Sequence, residues 1–117
     1  MSEETNKGRK LAGRIERYVG YTTGIAETCS LISRHAQTYD RIQELWCNEE
    51  MSDRRRELLE RKEAQLEARI RTLVGELPGW DDENQRGEWR VRFGGDPRGA
   101  TVVLVMLNHD REISCHV

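Results

Sequence analysis

The stretch Trp89–Gly99, WRVRFGGDPRG, decides how the chain is read. Trp89, Val91 and Phe93 alternate with Arg90 and Arg92, the period of two that a half-buried strand requires. The alternation then breaks into GGDPRG, a turn in which Gly94 and Gly95 supply unusual backbone angles. Asp96 caps the turn, Pro97 fixes φ and Gly99 eases the exit. The apolar run ATVVLVML follows at once, so the turn joins two strands of a hairpin. GGDPRG lacks the G-x-G-x-x-G spacing and precedes no helix, which removes the helix N-terminus that a phosphate-binding loop uses.

Working outward, the apolar strand of about Ala100 to Leu107 lies between strands of about Glu88 to Phe93 and Ile113 to Val117. Short links on both sides predict an antiparallel meander. The central strand is apolar on both faces, which requires cover on both sides. A helical hairpin supplies one cover. The N-terminal segment, or a partner such as a second copy docked through the sheet, would supply the other.

Upstream, apolar residues at Ile25, Cys29, Ile32, Ala36, Tyr39, Ile42 and Trp46 predict a helix from about Thr22 to Asn48, with Leu31 and Leu45 widening its stripe. Thr22 or Thr23 would cap its start. A short link forces the next helix to return antiparallel, with Ser52 as its N-cap and Asp53 in its first turn. Leu59, Glu63, Leu66, Ile70, Leu73 and Leu77 trace the buried edge of this second helix, Glu63 being the off-pattern member. Pro78–Gly79 ends it. Trp80 is expected to cover the helix end, and the polar DDENQRGE after it to form a surface loop. Leu11, Ile15 and Tyr18 mark either a short N-terminal helix from Arg9, weakened by Gly13 and closed at Gly20 or Gly24, or a ragged first turn leading into the next helix, with Met1–Gly8 frayed. The expected fold is one α+β domain over residues 1–117, with helices over about 9–78 and a three-stranded meander over about 88–117.

Composition bounds the function. The 117 residues are 36% hydrophobic and 34% charged, with a formal net charge of -2, which argues against indiscriminate coating of nucleic acid. Sixteen of the nineteen basic residues are arginines, the better partners for carboxylate and phosphate. No segment is apolar over the length needed to span a membrane. Cys29, Cys47 and Cys115 build no disulfide framework and no C-x-x-C pair, and no signal-peptide pattern opens the chain, which points to a reducing cytoplasm.

Catalytic and metal constellations are not legible. His109 lies in a turn, and Cys115 and His116 face opposite ways on a strand, so no zinc spacing or nucleophile pair results. His35 beside Arg34 reads as a surface residue, and Cys29 and Cys47 as small buried hydrophobes. Asp81, Asp82 and Glu83 lack the alternating spacing of a calcium loop. Arg54, Arg55 and Arg56 open a helix whose dipole disfavours cations there, and read as a solvated face. No cofactor is expected.

The stretch VRFGGDPRGATVVL resembles the C-terminal motif of small uncharacterised proteins carried by phages, plasmids and other bacterial mobile elements, with Arg92–Ala100 the close match. That family has no general activity, so the resemblance brings over no catalytic residue. It implies a non-enzymatic inhibitor that occludes a host protein or ribonucleoprotein complex, inhibitors of bacterial CRISPR immunity being the best-known kind. Such a protein uses acidic residues as phosphate mimics and aromatics and arginines as anchors. The expected contact residues are Arg90, Arg92, Arg98, Asp96, Trp80, Asp81, Asp82 and Glu83. The rival expectation is a nucleic-acid accessory protein docking through Arg90, Arg92 and Arg98, with Arg54 to Arg56 in support.

Overall fold

A computed structural model describes residues 3–20, 24–46, 50–82, 85–94, 101–108 and 111–117. Its elements run α1 (Glu3–Val19), α2 (Ile25–Leu45), α3 (Asp53–Gly75), β1 (Asp81–Asp82), β2 (Gln85–Phe93), β3 (Val102–Asn108) and β4 (Arg111–His116). The α+β architecture of a helical hairpin on an antiparallel meander is the expected one, in strand order β1-β2-β3-β4.

The helices follow their periodicities. The buried positions of α2 are Ile25, Cys29, Ile32, Ser33, Ala36, Tyr39 and Ile42, steps of three and four that keep one stripe inward. Leu31 is off that stripe and 40% exposed, so it does not widen the core face. In α3 the buried set is Leu66, Ile70 and Val74, continued by Leu77, while Leu59, Glu63 and Leu73 are only half-buried. Each fully buried Leu, Ile or Val contributes about 1.5–3 kcal/mol, enough to outweigh the surface charge pairs. Ser52 caps α3 as expected: its hydroxyl accepts from the Arg55 N–H at 3.2 Å. The cap of α2 is instead Gly24, left-handed at φ 77°, with no side-chain bond; Thr22 and Thr23 lie outside the described residues.

Two expectations about the first helix are corrected. It is not a short segment from Arg9 but seventeen residues from Glu3. Gly8 does not fray it; the glycine is buried against α2, where a Cβ would stand 2.6 Å from Ser30 Cα. Its missing side chain is what lets the two helices approach. Gly20 then closes α1, its N–H donating to the Glu16 carbonyl at 2.7 Å.

The sheet also starts earlier than expected. Asp81 and Asp82 pair with Arg86 and Gln85, so the stretch after Trp80 is a small hairpin rather than a loop. Gly79 permits that turn-back, since a Cβ there would meet the Gly87 carbonyl oxygen at 2.5 Å. Trp80 packs on the core, its Cβ and the Met106 side chain both crowding Gly87. Gly94 opens the main turn at φ 83° and its N–H donates to the Thr101 carbonyl at 2.9 Å. Residues 95–100 lie outside the description.

All three helices lie on one face of the sheet. Trp89, Val91, Val102, Leu104, Met106 and Cys115 share one core with Leu11, Ile15, Ile32 and Ile70. Tyr18 of α1 meets Trp89 at 6.4 Å between ring centroids, so α1 belongs to this layer and does not wrap the other face. Val103 and Val105 point away from the core cluster, yet they are 9% and 3% exposed. Arg90, Arg92 and Glu112 share that face with them.

Candidate functional site

Three polar arrangements stand on this frame. On the outer sheet face the register aligns Arg92, Val103 and His116 in one row, Arg90, Val105 and Ser114 in the next, and Glu88, Leu107 and Glu112 in the third. Arg92 pairs with Glu112 at 2.8 Å. Those residues sit on opposite flanks of β3 and two rows apart, so the pair runs diagonally over Val105. The stem of an arginine covers apolar surface while its head stays wet. Arg90 pairs with Glu88 at 3.5 Å. With side chains roughly half to two-thirds exposed, each pair stabilises by about 0.2–1 kcal/mol at most. Their effect is on charge: the two arginines form a locally neutral ladder, not an open cationic patch.

The other expected contact residues do not join this ladder. Trp80 packs at the core. Asp81 and Asp82 are placed by backbone pairing alone, and Glu83, Asp96 and Arg98 lie outside the described residues, as do Cys47 and His109.

The second arrangement joins α2 to α3. Tyr39 places its hydroxyl 2.9 Å from Glu67 Oε1 and 3.4 Å from Glu63 Oε1. Trp46 Nε1 donates to Glu63 Oε2 at 2.9 Å. Burial, then the hydrogen bond and charge of Glu67, push the Tyr39 hydroxyl well above its ordinary value of 10. A phenol held protonated against carboxylates is a clamp, not a nucleophile. The Tyr39 ring meets Phe93 at 5.3 Å between centroids, and the Arg71 guanidinium lies 5.0 Å over the Phe93 ring. Thr101 donates to Asp40 beside it, tying the far end of the hairpin to α2. Glu63, off-pattern in the sequence, is therefore an interhelical acceptor.

The third arrangement was not foreseen. A shallow groove of about 340 Å³ runs along the outer side of the α2–α3 seam, lined by Leu31, His35, Ala68, Arg69, Thr72 and Leu73. Cations gather around it. Burial lowers the His35 pKa from 6.5, and Arg69, Arg34 and Lys62 lower it further, which places three positive charges within its field. Arg55, Lys62 and Arg69 recur every seven residues, as do Arg34 and Arg41, so each set occupies one helix stripe. Glu63 and Glu67 turn inward to Tyr39, and no carboxylate lines the groove among the described residues. The seven-residue spacing was the available signal; it is hidden along the chain because acidic residues are interspersed with the basic ones.

No protein-family model, curated protein or solved structure matches this chain.

Proposed function

We propose that this protein acts by binding another protein and not by catalysis. The observation that carries the reading is the cation-flanked groove beside Leu31, an apolar side chain presented to solvent on an otherwise charged helical face. A partly exposed apolar anchor ringed by charge is the composition of a contact surface. The polar clusters inside the fold support it as well: Tyr39, Trp46, Glu63 and Glu67 saturate one another across a seam. In the form implied by the GGDPRG resemblance, the partner is a host defence complex such as a CRISPR effector, and binding works by occlusion in the host cytoplasm. The rival reading, nucleic-acid docking through Arg90 and Arg92, is disfavoured because both guanidiniums already pair with Glu88 and Glu112.

Affinity capture on the tagged protein, run in parallel with a Leu31→Asp variant, tests the reading. A stoichiometric protein partner retained by the wild type and lost by the variant is the expected result. Salt-dependent duplex binding that an Arg90→Glu/Arg92→Glu double variant abolishes, with no protein partner recovered, would overturn it.

A further inference from the structure

We infer that the α2–α3 groove receives an acidic segment of a partner protein, seating one bulky apolar side chain among Leu31, Ala68, Thr72 and Leu73 with carboxylates on Arg69 and Lys62. This deepens the binding reading above and rests on it.

Shape and charge select that occupant together. The floor of the groove is aliphatic, and a volume of about 340 Å³ suits a leucine- or phenylalanine-sized side chain with its flanking backbone. A phosphate backbone would leave that floor unfilled, so an apolar anchor is needed to desolvate Leu31 and Leu73. The rim carries Arg69 from α3 and His35 from α2, and Lys62 lies seven residues before Arg69 on the same α3 stripe. Lys62 and Arg69 form no ion pair among the described residues, so their charge is available to an incoming carboxylate. A basic segment would meet like charge on the α3 wall, and a neutral apolar one would leave those cations partly desolvated without partners. Leu31 is 40% exposed at the groove, so a docked side chain would remove apolar surface from water there. An amphipathic helix carrying leucines on one stripe and glutamates beside it meets both demands, laid along the groove between two helices.

The probe is a fluorescein-labelled synthetic helix of alternating glutamate and leucine pairs. Two further probes accompany it: the same helix with lysine for glutamate, and a duplex DNA. Anisotropy titrations use the wild type, Leu31→Asp, Arg69→Glu and the outer-sheet variant Arg90→Glu. Saturable binding of the acidic helix is expected, weakened about tenfold or more by either groove substitution and unchanged by Arg90→Glu. The acidic helix should also bind at least about tenfold tighter than the lysine helix. Leu31 and Arg69 are exposed, so both variants keep the wild-type circular dichroism. Amide shifts of the labelled protein on titration should cluster at Leu31, His35, Ala68 and Thr72. Absence of saturable binding overturns the inference. So does DNA binding that Arg69→Glu weakens and Leu31→Asp does not. If partner capture from cells still depends on Leu31 while the acidic helix fails, the binding reading stands and the acidic occupant alone is wrong.

Discussion

Replacing Tyr39 with phenylalanine isolates the polar clamp between α2 and α3, because the ring contact with Phe93 survives and only the hydroxyl is lost. The wild-type hydroxyl lies 2.9 Å from Glu67 and 3.4 Å from Glu63, both carboxylates. A hydrogen bond to a charged group contributes about 1.5–3 kcal/mol, and half-exposed glutamates recover part of that from water. The expected loss is therefore about 1–2 kcal/mol, read as a shift of the urea midpoint at unchanged slope, or about 4–8 °C in Tm. A cycle with Glu67→Gln should return a coupling of about 1 kcal/mol, whereas an uncoupled pair adds simply. The pH arm has a definite sign. The Tyr39 proton is held above its ordinary pKa of 10, so its stabilisation is complete below pH 10 and declines as pH climbs through the raised native value. Tyr39→Phe should lack that alkaline decline. A Tyr39→Phe protein within about 0.5 kcal/mol of wild type, with the same alkaline limb, would refute the clamp.

Four further outcomes follow from particular contacts. Gly8→Ala should destabilise by about 1–3 kcal/mol in denaturant titration despite alanine's better helix propensity, because its Cβ would lie 2.6 Å from Ser30 Cα. Ser33→Ala should be neutral or stabilising by up to about 2 kcal/mol, since the Ser33 hydroxyl is buried with no hydrogen-bond partner. Burial pushes the Cys29 thiol up to about 12 and the Cys115 thiol in the same direction, so both should resist a thiol-reactive disulfide reagent until the protein is unfolded. Acidic-helix binding should tighten as pH falls through the range where His35 protonates. Arg34 on its own helix and Lys62 and Arg69 on α3 hold its pKa below 6.5, and a bound carboxylate raises it. Proton uptake on binding follows, and His35→Gln should flatten the pH dependence.

The architecture was legible because each helix and strand repeats its side chains at a fixed period. Ile25 through Ile42 and Leu66 through Leu77 announce buried stripes whatever they pack against. Trp89, Val91 and Phe93 do the same at period two, and Ser52 marks a cap by local chemistry alone. The candidate surface was less legible. The alternation places Arg90 and Arg92 on one strand face, but the pairing of Arg92 with Glu112 depends on which strands flank it.

The sequence by itself therefore determined element type, order and inward face, since these rest on interactions within a few residues or on burial averaged along a stripe. Tertiary structure decided what each face meets. It made Gly8 a close-packing residue and Glu63 an interhelical acceptor. It paired Arg92 with Glu112 diagonally across Val105, and it placed α1 on the helical face and not on the outer one. It also left Leu31 facing solvent among Arg34, Lys62 and Arg69, because residues about thirty positions apart become neighbours only when the two helices dock.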